Sequence, residues 1–214
     1  MGKVIRKVLI LYGMSALVFS SLSFAQAGPT VQVRGTIDKV LDILKDPALK
    51  APEKKGVRVE QLRTVIFSRF DFPEMARRSL GMHWRKRTAQ EREEFVGIFS
   101  DLLERSYRKK IERYTDQEII YSAERVDGKY GVVSTAISDR RENVEIPIDY
   151  RVIRRNDQWK VYDVVIDGIS LVSNYRSQFN RIIQRGSFAE LVKKMRVKQE
   201  TEMAEESAAS TRKQ

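Results

Sequence analysis

The chain contains one histidine and no cysteine, so any Ser-His or Cys-His nucleophile would depend on a single imidazole. His83 stands in Gly81-Met82-His83-Trp84, a helix end or loop, where an ordinary partly exposed histidine accounts for it. Zinc sites need clustered cysteine or histidine, and the sequence has no such cluster. No glycine-rich phosphate loop or nucleophile elbow is present. The carboxylates best placed to act as a general base are Asp163 and Asp167, four apart and so on one face of a strand. An NTF2-like α+β enzyme would hold one of them inside a pocket with a raised pKa. Two polar residues on the wet side or end of the strand would show the same spacing.

Basic residues are more conspicuous. They recur in runs at Arg77-Arg78, Arg85-Lys86-Arg87, Arg108-Lys109-Lys110, Arg140-Arg141 and Arg154-Arg155. Runs of this kind are ordinarily solvated faces. Arg85, Lys86 and Arg87, flanked by Trp84, have a sharper reading as the rim of a pocket or a contact with lipid headgroups or a membrane surface.

The N-terminus reads as a secretory leader. Residues 1–7 carry Lys3, Arg6 and Lys7; residues 8–24 are apolar; Ala25-Gln26-Ala27 is a small-x-small cleavage site. Cleavage is expected after Ala27, and no cysteine lies nearby to take a lipoprotein anchor. Removing three basic residues leaves 40 − 3 = 37 Lys and Arg against 29 Asp and Glu, a net charge of +8. A basic exported protein meets lipid headgroups rather than nucleic acid. Without cysteine, its core alone must hold it together.

Around these residues the periodicity predicts a single α+β domain over 28–197. After a linker over 28–35, Ile37, Val40, Leu41 and Leu44 repeat at helical spacing, and a second helix buries Leu62, Val65, Ile66 and Phe70. Asp71/Glu74, Thr88/Glu91 and Ser187/Glu190 read as capping boxes that open three further helices. The helix after Thr88 has acidic residues at its start and basic ones at its end, which suits its dipole. The period then changes to two, predicting strands at 117–126, 129–138, 143–154 and 158–167, with turns at Asp127-Gly128 and Asn156-Asp157. These form a four-stranded antiparallel meander with helices packed on one face. Pro147 marks an edge or bulge. Ile169, Val172, Tyr175, Phe179, Ile182 and Ile183 give another helical face, and Phe188, Leu191, Val192 and Met195 the last. Residues 198–214 are charged, lack an apolar stripe, and are expected to fray.

Particular segments also resemble a known family. Phe72-Pro73-Glu74-Met75-Ala76 leads to Leu80-Gly81 and Trp84, and Glu91-Arg92 and Phe95 follow. Then come Trp159-Lys160-Val161-Tyr162-Asp163-Val164, Asp167-Gly168-Ile169-Ser170-Leu171-Val172, Asn174-Tyr175-Arg176 and Phe179. Over about 35–197 the chain is similar to the MlaC family, periplasmic phospholipid-binding components of an ABC transport system linked to toluene tolerance. The resemblance implies a soluble periplasmic shuttle with phospholipid as cargo and no catalytic cofactor. It further implies exchange between an outer-membrane lipoprotein complex and an inner-membrane transporter bearing an MCE-domain protein. A monomer is expected.

In a cup of that kind the sheet would contribute Val133, Ile146, Ile148, Tyr150 and Val152. Opposite them would stand Phe72, Met75, Trp84, Phe95, Phe99, Val172, Tyr175 and Phe179. Such residues line a cup if the two apolar layers stay apart, and form a dry core if they meet.

Overall fold

The computed structural model describes residues 27–114, 117–139 and 144–211. The expected leader lies outside them, apart from Ala27. Helix α1 spans Pro29–Lys45, α2 Lys55–Arg69, α3 Phe72–Leu80 and α4 Ala89–Glu112. Five strands follow: β1 Glu118–Asp127, β2 Tyr130–Asp139, β3 Val144–Arg155, β4 Gln158–Ile166 and β5 Ile169–Ser170. Helices α5, Leu171–Arg185, and α6, Phe188–Thr211, complete the described chain. Among the described residues no helix is long and apolar enough to cross a membrane.

The strands pair antiparallel in chain order, giving an α+β meander with five strands where the periodicity predicted four. The extra strand comes from a tight turn. Asp167 and Gly168 both take positive φ, 49° and 76°, as a two-residue hairpin demands. Ile169 therefore lies in β5, 62% exposed, instead of on the face of α5. Pro147 sits in an internal strand, yet at a local edge: the β3–β4 ladder begins only at Ile148↔Ile166. The Pro147 carbonyl accepts from Asp167 N at 3.0 Å, so its missing N–H lies on the side where that ladder has ended.

Helix starts follow local chemistry. Thr88 and Glu91 form a complete capping box. Asp71 and Ser187 supply the first half of theirs, accepting from the backbone N–H of Glu74 at 3.0 Å and of Glu190 at 3.1 Å. The glutamates in those two cases turn to arginine and lysine partners instead. Helix α1 begins at Pro29, in the stretch expected to be a linker, because Pro29 and Val33 extend its apolar stripe toward the N-terminus and proline suits a first turn. Its free end is met by Glu124 of β1, which accepts from Thr30 N at 2.8 Å, a carboxylate at a helix N-terminus. Helix α6 runs on through 198–211, where fraying was expected; its Ala, Glu, Lys, Gln and Met residues carry a helix without an apolar stripe.

Two apolar clusters result. One joins α3, α4, α5 and α6, with Phe95, Phe99 and Phe179 at its centre. The other lies on the inner face of the sheet, with Val133, Ile148, Val152, Val161 and Val164 meeting Val33 of α1. Phe70 and Tyr107 touch both.

Candidate functional site

The inner face of the sheet is sealed at one end and open at the other. Along β3 the inward side chains Val152, 0% exposed, and Ile148, 8%, are buried with half-buried Tyr150 between them, whereas Ile146, 38%, and Val144, 44%, are exposed. On β2, Val133 and Thr135 are buried while Ile137 is half-covered. The sealed end is fastened by Arg69, which donates to Thr36 Oγ1 at 2.9 Å, Gln32 Oε1 at 2.8 Å and the Trp159 carbonyl at 2.6 Å. One guanidinium thereby ties α1, α2 and β4 together. Toward the open end, Ile37 of α1, Tyr107 of α4, Tyr121 of β1 and Ile166 of β4 are half-covered. Val40, Leu41 and Leu44 of α1 are half-covered too.

This set is apolar with a few hydroxyls. Burial raises the pKa of Tyr150, pushes that of Tyr121 up to about 12 and raises that of Tyr107, so all three stay neutral at physiological pH. The Tyr121 hydroxyl is buried without a hydrogen-bond partner, and Arg34 stands 4.1 Å from its ring centroid. Between Ile146 and Val152 the face is about 20 Å long at the usual strand rise. One leaflet of bilayer hydrocarbon is about 15 Å thick. An acyl chain fits that length.

The structure divides the expected lining. Val133, Ile146, Ile148, Tyr150 and Val152 do share one face. Phe72, Met75, Phe95, Phe99, Val172 and Phe179 are buried in the helical cluster. There Phe99 meets Phe95, Phe179 and Tyr175 at ring-centroid separations of 5.8, 5.7 and 5.4 Å, and Tyr175 is partly buried against them. Their helices close on one another, so this half of the set packs as a filled core. Tyr121 and Ile137 share this face although sequence reasoning did not single them out; strand alternation pairs Ile137 with Ile146.

Asp163 and Asp167 do not stand together on a wet strand face. Asp163 is buried and fully engaged: it accepts from Val172 N at 3.1 Å, Ser170 Oγ at 2.6 Å and Arg151 Nη1 at 3.2 Å. Its carboxylate holds the start of α5. Asp167 is exposed in the β4–β5 turn. His83 pairs with Asn180 Oδ1 at 2.9 Å.

Far from the open end lies a basic cleft of about 720 Å³. Arg77 and Arg78 of α3 line one side and Arg176 of α5 another; Met82, Trp84, Arg85 and Lys86 come from the turn before α4. Arg87 is not part of it, since it pairs with Glu91 at 3.1 Å and lies over the Phe188 ring. Glu74 is the buried counter-charge behind the cleft, meeting Arg77 at 2.6 Å and Arg78 at 2.7 Å. Burial alone would raise its pKa, but hydrogen bonds from these two arginines outweigh that and hold it at about 2. Arg155 bridges Asp71, at 2.9 Å, and Glu74, at 3.5 Å, fixing α3 to the β3–β4 hairpin.

Fold and site together define a small α+β protein whose antiparallel sheet keeps an apolar inner face covered at one end and open at the other. Residues 34–197 match the MlaC protein family. A phospholipid-binding protein of Ralstonia solanacearum, solved in complex with a phospholipid, superposes with a TM-score of 0.73 at 28% identity, covering 83% of this chain and 99% of that one. The intermembrane phospholipid transport system binding protein MlaC of Haemophilus influenzae is 20% identical over 191 residues, 87% of this chain and 89% of the relative. Toluene tolerance protein ttg2D of Pseudomonas putida is 24% identical over 169 residues, 78% of each. The chain belongs to the MlaC family.

Proposed function

We propose that this protein is a phospholipid carrier whose cargo lays its acyl chains along the inner face of the sheet, entering at the Val144–Ile146 end. The observation that carries this reading is the gradient of exposure along β3, from 0% at Val152 to 44% at Val144. An apolar surface left half-covered inside a fold stabilises it little until something apolar fills it. The phospholipid bound by the Ralstonia solanacearum relative supports the choice of cargo.

Burying a methylene gains ~0.8 kcal/mol, and a bilayer offers a chain nearly the same gain. Transfer between membrane and carrier is then close to neutral, and direction must come from partners. In this reading the leader is removed after Ala27 and the mature protein works in the periplasm. It exchanges lipid between an outer-membrane complex and an inner-membrane ABC transporter with an MCE-domain protein. No catalytic step is assigned, because Asp163 is committed to Ser170, Val172 and Arg151 and Asp167 lies outside the interior.

Lipid extraction from gently purified protein tests this reading, with Ile148→Asp as the comparison. The wild type should yield phospholipid in stoichiometric amount and the variant almost none, with its circular dichroism retained. Equal lipid content in a folded Ile148→Asp protein would remove the sheet face as the binding surface.

A further inference from the structure

The basic cleft is not placed to serve the open end of the sheet. Its Trp84 and Lys86 immediately precede α4, whereas Tyr107, which borders the interior, lies five turns further along that helix. At the rise of an α-helix this separates them by roughly 27 Å. A headgroup emerging beside Ile146 is therefore out of reach of Arg85 and Lys86, and the cleft needs its own occupant.

Its chemistry is unbalanced in one direction. Arg77 and Arg78 share a single carboxylate, Glu74, which also receives Arg155. Arg85 and Lys86 have no side-chain ion pair among the described residues, and Arg176 spends its Nε on the Arg78 carbonyl at 2.7 Å. The surplus of positive charge stands beside apolar side chains left open: Met82 is 73% exposed and Trp84 is only half-covered. The walls are also fixed in place. Arg92 lies 5.3 Å from the Trp84 ring centroid and donates to the Trp84 carbonyl at 3.3 Å. At the C-terminus of α3, Gly81 takes φ +54° beneath the Arg176 side chain, 3.6 Å from where a Cβ would lie, a backbone conformation that favours glycine.

A net surplus of cationic groups beside an indole and a thioether suits an extended segment bearing carboxylates and an apolar anchor. A flat anionic bilayer suits the cleft less well, because the site is concave and lies away from the open end of the sheet. We infer that this cleft docks an acidic, apolar-anchored peptide segment of a partner protein, leaving the open end of the sheet free to pass cargo. The cleft's chemistry stands by itself, while its orientation relative to cargo rests on the reading of the sheet face as the lipid site.

The test measures binding of a fluorescein-labelled Glu/Phe peptide and of phosphatidylglycerol vesicles to the mature protein, at low and high salt. Two variants with equal charge change are compared, Arg85→Glu/Lys86→Glu in the cleft and Lys54→Glu/Lys55→Glu at the start of α2, with lipid content followed in parallel. The expected result is peptide binding that weakens with salt, falls about tenfold or more in the cleft variant and is unchanged in the α2 variant. Lipid content should be the same in all three proteins. Equal loss in both variants would reduce the effect to net charge and overturn the proposal. So would binding of vesicles without binding of peptide.

Discussion

The helical cluster and the inner face of the sheet are built from similar residues and behave differently. Around Phe99, aromatic rings of α4 and α5 meet inside a cluster drawn from four helices. Along β3, equally apolar residues lose their cover within the length of one strand. Composition tells the two regions apart poorly; coverage tells them apart well. A side chain touched on all sides contributes its full burial to stability, while one facing unfilled space contributes little until a ligand arrives.

Truncation on the two sides sharpens that contrast most. Phe99→Ala should cost about 3–5 kcal/mol, the range for a fully packed aromatic, in urea-induced unfolding. Ile137→Ala, on the half-covered side, should cost about 1 kcal/mol or less and register instead as a lower lipid content. Comparable losses of stability at both positions would erase the distinction between core and lining.

The next effect concerns the buried carboxylate on the helical side. Asp163→Ala removes three accepted hydrogen bonds at the start of α5 and should cost about 2–3 kcal/mol, with Asp163→Asn recovering part of that. Arg151, half exposed, regains water and limits the loss. A cost near zero would show that α5 starts without this anchor.

A smaller effect is tied to pH. The Glu74 pKa falls from 4.5 to about 2 on folding, so the native state binds fewer protons there than the unfolded chain. Its contribution is present above about pH 4.5 and fades as pH drops toward 2. Because Arg77 is half exposed, solvent screening keeps the gain to about 1–2 kcal/mol. Comparing wild type with Glu74→Gln by urea unfolding at neutral and at low pH should show a gap that closes on acidification.

Much of the fold was legible because it is written locally. The strands lie within a residue or two of their predicted limits, since alternation and the two hairpin turns fix the register. The second turn is Asn156-Asp157 as expected, while the first falls one residue later than expected, at Gly128-Lys129, because Asp127 still pairs with Tyr130. Helix α4 was readable from its capping box. The way the interior is covered was less legible. Periodicity shows which face of an element is apolar and is silent on what covers it, so Ile148 and Phe99 looked alike. The role of Asp163 was hidden for the same reason: its partners Ser170 and Val172 come from beyond a turn whose two positive-φ residues were not read as a hairpin. Tyr121, whose buried hydroxyl has no hydrogen-bond partner among the described residues, lies in a strand that the alternation did locate.

The chain carries two tryptophans, and they sit on opposite sides of the central claim. Trp159 belongs to the sheet cluster at its sealed end, and Trp84 borders the basic cleft. The most direct measurement loads single-tryptophan proteins, Trp84→Phe and Trp159→Phe, with phospholipid brominated near the ends of its acyl chains, and reads fluorescence quenching. The account predicts strong quenching of Trp159 and little of Trp84. Quenching of Trp84 with Trp159 left bright would place the acyl chains elsewhere and contradict it.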